Sequence, residues 1–151
     1  MLRKTLLPAL IVSLLFLSAA EARGPVLWGG VSSNDLGLST LVLSTQGGQV
    51  KIKSLQVVMS CRDTDDGTYS DRAFHIANGP TRNLNRNRFD FRLQEYSGGR
   101  LGQLRLNGIL RSNGRGAARL NLTALGREIS GRIVERCQAS VNYRLRRGPV
   151  N

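Results

Sequence analysis

The sequence is poor in the residues that enzymes most often use for catalysis. It contains one histidine, His75, and two cysteines, Cys61 and Cys137, among 151 residues. No motif places a serine or cysteine nucleophile beside His75, so a hydrolase triad is not indicated. The two cysteines cannot form a Cys-based metal site if they pair with each other. We therefore expect a protein that is not an enzyme and that uses no metal and no cofactor.

Aromatic residues are also scarce, at 5% of the chain. Several of them fall on predicted inward positions of strands, which leaves few exposed rings on which bases could stack. A nucleic acid would therefore bind through its phosphates. Long apolar runs are absent after the N-terminal segment, and we expect no stable membrane anchor.

The N-terminus has the pattern of a secretory signal peptide. Arg3 and Lys4 precede an apolar run over residues 6–20, and Ala20-Glu21-Ala22 ends it with small residues around one polar residue. The sequence predicts a signal peptide at 1–22, cleaved after Ala22, and a secreted product. The alternative is an uncleaved anchor, but a run of about 15 residues is shorter than a bilayer span.

Export to an oxidising space favours a disulfide between the two cysteines. Both Cys61 and Cys137 lie in the predicted mature chain, and one bond between them is the simplest arrangement. Closing a loop of this length should stabilise the fold by about 4 kcal/mol. Two free thiols are the alternative.

Apolar and polar residues alternate with a period of two along most of the mature chain. This pattern is typical of strands that bury one face. The clearest segments are 50–52, 89–93, 104–108, 118–122 and 137–145, and further candidates are 38–44, 55–61, 69–76 and 128–134. Turn signals such as Asp66-Gly67 and Asn113-Gly114 separate them. We expect an all-β fold, an antiparallel β-sandwich or barrel of seven to nine short strands, over residues 36–151.

Residues 23–35 have a different composition from the rest of the mature chain. Gly24-Pro25, Gly29-Gly30 and a Ser-Ser-Asn run surround the single tryptophan, Trp28. Glycine, proline, serine and asparagine at this density are typical of a loop. The sequence predicts a flexible lead-in at 23–35.

The basic charge is the most prominent feature of the chain. The precursor carries +12, and the predicted signal peptide removes one net positive charge, so the mature chain keeps +11. Nearly all of its cations are arginines, whose guanidinium groups match phosphate, sulfate and carboxylate geometry. Five of them fall on predicted outward strand positions and are candidates for a polyanion site: Arg92, Arg105, Arg119, Arg144 and Arg146. A basic surface that only maintains solubility is the alternative.

Acidic residues form one local cluster, at Asp63, Asp65 and Asp66. Its spacing begins like a calcium loop, yet Gly67 and Phe74 stand where further ligands are needed, and an acidic hairpin turn is favoured. Two converging carboxylates of a glycosidase remain a second alternative. Asn121-Leu122-Thr123 fits the glycosylation pattern, although within a predicted strand.

Three short motifs resemble a family of small exported actinobacterial proteins of unknown function. Ser44-Thr45-Gln46-Gly47 leads into an alternating strand, and Cys61 is followed by Asp66-Gly67. Cys137 begins an alternating strand that ends in Tyr143-Arg144-Leu145-Arg146-Arg147. The resemblance covers about two-thirds of the precursor and implies a β-sandwich-like domain with a single disulfide. It implies no activity.

The sequence therefore predicts a secreted binding or structural module. The expected partner is an anionic extracellular or envelope polymer, such as teichoic acid, lipopolysaccharide or extracellular nucleic acid, held on a basic sheet face. The alternative is an exported module that binds an extracellular protein, for example an enzyme inhibitor, through a displayed loop. Residues 77–87, with Pro80 and several asparagines, are the best candidate for that loop.

Overall fold

A computed structural model describes residues 24–34, 37–97 and 100–148. The predicted signal peptide, 1–22, and its cleavage site lie outside these residues. The described chain is all β and antiparallel, as the sequence predicts. Its nine strands are β1 (Val26–Asn34), β2 (Gly37–Gln46), β3 (Gln49–Asp63), β4 (Tyr69–Ala77), β5 (Thr81–Asn83), β6 (Arg88–Ser97), β7 (Arg100–Leu110), β8 (Arg115–Arg127) and β9 (Ile133–Arg147).

The strands follow the order β4-β3-β2-β1-β9-β8-β7-β6, and β5 pairs with β3 outside this path. One further pairing changes the topology, because Ser60–Asp63 of β3 pairs with Glu135–Gln138 of β9. The other end of β9 pairs with β1, where Trp28 lies opposite Arg147. Strands β1, β2, β3 and β9 therefore form a small closed barrel, and β8, β7 and β6 extend from it as a sheet.

The prediction of a flexible lead-in at 23–35 is wrong for most of its length, since Val26–Asn34 forms strand β1 between β2 and β9. Residues 23 and 35 lie outside the described residues. One of the glycines of β1, Gly30, allows close packing. A Cβ on Gly30 would lie 2.7 Å from Leu145 Cδ2 and 3.0 Å from the Arg144 carbonyl oxygen. Glycine therefore lets β1 approach β9, and composition alone does not distinguish this use from a loop.

Two further strand predictions change in detail. Segments 50–52 and 55–61 are parts of one long strand, β3, with an irregular register against β2 at Val42/Leu43. The candidate strand 128–134 is mostly the turn between β8 and β9, in which Gly131 has φ +86°. Such a dihedral is easily adopted by glycine and ends the strand pattern there.

One hydrophobic core lies inside the barrel and under the sheet. The predicted inward residues are buried, among them Phe91, Leu106, Leu120 and Val141. Tyr143 is also buried, and its hydroxyl and that of Ser39 have no hydrogen-bond partner among the described residues. Desolvation raises the pKa of Tyr143 to about 12.

Cys61 and Cys137 are directly opposite each other in the β3–β9 ladder and form the predicted disulfide. The bond is buried and joins the two strands that close the barrel. A structural disulfide of this kind indicates an oxidising compartment, such as the extracellular space.

None of the described residues belongs to a helix long and apolar enough to span a membrane.

Candidate functional site

The outward side chains of β6, β7, β8 and β9 form one polar surface, which we call the arginine face. Strand register places its residues in rows that run across the strands. One row is Asp90–Asn107–Arg119–Asn142 and the next is Arg92–Arg105–Asn121–Ser140. Neighbouring strands are about 4.8 Å apart, so residues within a row are close neighbours. A third row, Arg88–Ile109–Ala117–Arg144, lies on the other side of Asp90.

The first and third of these rows line an open groove of about 1090 Å³. Its lining includes five arginines, one carboxylate (that of Asp90) and four asparagines. The arginines are Arg82, Arg88, Arg105, Arg119 and Arg144, and the asparagines are Asn83, Asn85, Asn107 and Asn142. The groove therefore combines a strong positive charge with neutral groups that can both donate and accept hydrogen bonds.

The arginines of the face fall into two groups, those that pair with Asp90 and those that have no carboxylate partner. Arg105 donates from Nε to Asp90 Oδ1 at 3.2 Å and from Nη2 to Oδ2 at 3.3 Å, and Arg92 Nε lies 3.2 Å from Oδ2. Desolvation opposes the effect, but these hydrogen bonds and charges lower the pKa of Asp90. Arg119 and Arg144 have no ion-pair partner among the described residues, and their charge is uncompensated.

Two smaller depressions extend the groove along the face. The nearer depression, of about 480 Å³, shares Arg105 with the groove. The farther depression, of about 510 Å³, shares Gln103 and Thr123 with the nearer one. The three together form a continuous surface that we call the track. On β9 it runs from Arg144 to Arg136, a length of roughly 26 Å at the usual rise per residue in a strand.

The far end of the track crosses onto the barrel. Here the row is Leu125–Arg136–Arg62–Tyr69, in register across β8, β9, β3 and β4. Tyr69 is 71% exposed, and the guanidinium carbon of Arg62 lies 5.9 Å from the centre of its ring. The end of the track therefore offers an aromatic ring with two arginines beside it.

Like charges face each other directly at three points of this surface. Arg92 opposes Arg105, Arg115 opposes Arg146, and Arg62 opposes Arg136. Such pairs destabilise a sheet. Asp90 compensates the first pair, but no carboxylate in the described chain forms an ion pair with Arg115 or Arg146.

The predicted display loop at residues 77–87 is largely ordered by pairing with other strands. It contains β5, which pairs with Gln49–Lys51 of β3, and Gln49 Nε2 donates to Asn83 Oδ1 at 3.3 Å. A tight turn follows, with Arg86 and Asn87 at φ +49° and +64°. The segment is not a freely displayed loop, and its residues line the groove from the β5 side.

The acidic cluster forms the turn between β3 and β4, as favoured from the sequence. Asp63 Oδ1 accepts from the backbone N–H of Asp65 at 2.7 Å, and Asp66 Oδ1 accepts from Thr68. The hydrogen bonds from the Thr68 backbone and hydroxyl lower the pKa of Asp66. Asp65 is held by Arg132 from the β8–β9 turn at 2.8 and 3.1 Å. Asp65 thus joins the two turns, and Asp63 and Asp66 stabilise their own turn.

One group of potential metal-ligating atoms lies elsewhere. The sulfur atoms of Cys61 and Cys137 and a carboxylate oxygen of Glu135 are all within 4.8 Å of one another. Both sulfurs are in the disulfide, so they are not thiolate ligands in this oxidised state.

The five predicted arginines do lie on one face, and they are not equivalent. Arg105, Arg119 and Arg144 line the groove, Arg92 lines the adjoining depression, and Arg146 lies at the end of the face beside Arg115. Sequence reasoning missed Arg88, although it alternates with Asp90 and Arg92 on the same strand. It also missed Arg82, Arg62 and Arg136, whose positions depend on strand pairing.

Comparison with protein-family models, curated proteins and solved structures finds no match to this chain. The geometry of the arginine face is therefore the basis of the functional argument.

Proposed function

We propose that this protein is a secreted, non-catalytic module that binds an anionic polymer along the track. The observation that carries the proposal is the groove, with five lining arginines against the single carboxylate of Asp90. A charged cleft of one sign concentrates counter-ions of the opposite sign and accelerates their association.

The continuity of the track favours a polymer over a small anion. Arginines occur in the first three rows and again in the row of Arg136 and Arg62, over a length several times that of one phosphate or sulfate group. A chain of regularly spaced anions can contact all of these rows, and each contact releases counter-ions.

The opposed arginines supply a second argument. Arg115 and Arg146 lie just beyond the groove, in the row after that of Arg144, and face each other at a cost in stability that no described carboxylate offsets. A bound polyanion would supply the missing negative charge. A surface that served only solubility would be equally soluble with these arginines dispersed.

The test compares two double charge reversals. Arg119→Glu with Arg144→Glu changes the groove, and Lys51→Glu with Lys53→Glu applies the same charge change at two residues of β3 that do not line the track. Binding of heparin and of polyglutamate is measured by calorimetry from ~50 to ~500 mM NaCl. We expect the groove variant to lose roughly tenfold or more in affinity and about two units of salt slope. Equal losses in both variants would show that net charge alone drives binding and would overturn the proposal.

A further inference from the structure

The non-cationic residues of the track carry information about the ligand that the arginines do not. Between the arginine rows lies a row of uncharged polar groups, Gln94–Gln103–Thr123–Gln138. Four asparagines add to it in the groove. Much of the track is therefore built of amides and hydroxyls.

Several of these amides are available to a ligand. Within the described chain, Asn107, Asn142 and Gln103 make no side-chain hydrogen bond, whereas Asn121 accepts one from Ser140 at 3.1 Å. Each free amide presents a donor and an acceptor together, the combination that a hydroxyl group, itself a donor and an acceptor, satisfies best. Phosphate, sulfate and carboxylate groups only accept, so they can bond to the amide N–H groups but not to the amide oxygens.

The distribution of aromatic rings separates a polysaccharide from a nucleic acid. Single-stranded nucleic acids stack successive bases on several aromatic side chains. Phe89 and Tyr143 border the groove but are buried, at 4% and 1% exposure, and belong to the core. Tyr69 is the exposed ring among the described lining residues, and it lies at one end of the track. The described part of the track therefore has no row of exposed aromatic side chains on which successive bases could stack.

We propose that the polymer is an acidic polysaccharide, one that carries carboxylate or sulfate groups on a chain rich in hydroxyls. Its acidic groups pair with Arg88, Arg119 and Arg144, and its hydroxyls bond to the amides of Asn107 and Asn142. Tyr69 contacts the face of a sugar ring at the end of the track. This inference rests on the proposed function, because it names the ligand class of the same site.

The experiment removes amides without changing charge. Asn107→Ala with Asn142→Ala is compared with Gln46→Ala with Gln56→Ala, which are exposed positions on β2 and β3. The probes are polygalacturonate, polyglutamate of matched charge and length, which has carboxylates but no hydroxyls, and single-stranded poly(dT). Calorimetry at ~100 mM NaCl gives each affinity.

We expect the groove amide variant to lose roughly tenfold in affinity for polygalacturonate, since two hydrogen bonds are lost. Its affinity for polyglutamate should change less than about twofold, and the control variant should bind all probes as wild type does. Wild-type protein should also bind polygalacturonate more tightly than polyglutamate.

Three results would overturn the inference. Equal affinities for polygalacturonate and polyglutamate would show that the protein does not recognise the hydroxyl groups. An unchanged affinity of the amide variant for polygalacturonate would remove the role of the asparagines. Tighter, amide-dependent binding of poly(dT) would assign the track to nucleic acid instead. Failure of the proposed function is distinct, because it appears for every probe as an equal loss in Arg119→Glu with Arg144→Glu and in Lys51→Glu with Lys53→Glu.

Discussion

Arg105 and Asp90 form a two-point ion pair across β6 and β7, with Nε and Nη2 of the guanidinium 3.2 and 3.3 Å from the two carboxylate oxygens. The pair lies at the β6 edge of the arginine face, since β6 ends the strand order, and Arg92 joins it from the same strand as Asp90. The carboxylate that limits the positive charge of the groove therefore also holds in place Arg105 of the groove and Arg92 of the adjoining depression.

We predict that Asp90→Asn strengthens polyanion binding. The substitution removes the negative charge from the groove and frees Arg92 and Arg105, so affinity for heparin at ~50 mM NaCl should rise about threefold to tenfold. The matched control is Glu128→Gln, which also removes an acid that pairs with an arginine, Arg132, but at the β8–β9 turn. Weaker binding by Asp90→Asn would mean that fixed arginine geometry matters more than net charge.

The buried tyrosine predicts a loss of stability at high pH. Tyr143 has a pKa of about 12 in the folded chain against 10.0 when exposed. Between these values the unfolded state is ionised and binds fewer protons than the folded state, so the free energy of unfolding falls as pH rises. The loss should total roughly 2–3 kcal/mol by pH 12.

The measurement is urea unfolding of wild type and Tyr143→Phe at a series of pH values from 8 to 12. We expect the difference in unfolding free energy between the two proteins to grow in favour of Tyr143→Phe once pH exceeds 10.0. Parallel curves across this range would show that Tyr143 does not titrate differently in the two states.

The disulfide should be a major contributor to stability. Cys61 and Cys137 are separated by 76 positions in the sequence, and opening a loop of that size should lower the free energy of unfolding by about 4 kcal/mol. Urea unfolding of Cys61→Ala with Cys137→Ala gives the value, and wild type in excess reductant should agree with it. A loss below about 1 kcal/mol would mean that strand pairing alone holds the barrel closed.

The packing around Gly108 predicts a substitution that the core should tolerate poorly. A Cβ on Gly108 would meet the Ala117 carbonyl oxygen and lie 2.6 Å from Phe89 Cζ. We expect Gly108→Ala to lower the free energy of unfolding by about 1–3 kcal/mol. Gly24→Ala, where nothing lies within 4 Å, should be close to neutral. Equal stability of the two variants would contradict this packing.

The sequence predicts local features of this fold well and distant pairings poorly. Within each of β6 to β9, apolar and polar residues alternate with the period of a strand, and this alternation identifies the buried face. Each strand contributes one fully or almost fully buried example: Phe91, Leu106, Leu120 and Val141. Strand β1 is not predicted from the sequence, because Gly30 is needed where β9 packs closely against β1, and β9 is distant in the sequence. No local pattern records that contact.

The same distinction applies to the site. Outward positions of the five predicted arginines follow from alternation, so their common face was predictable. Which of them are ion-paired was not predictable, since this depends on Asp90 lying across from Asn107 and within reach of Arg105. The meeting of Arg62 and Arg136 depends on the β3–β9 pairing, which the cysteines hint at but do not specify in register.

Closure of the barrel also sets the order of events in folding. β9 pairs with β1, β3 and β8, and it follows all of them in the chain. Trp28 can pair early with Leu43 of β2, but its pairing with Arg147, and with it the closed ring, forms only once β9 is present. Pairings between such distant residues form slowly. Until then β1 and the end of β3 present open strand edges that can pair with other chains.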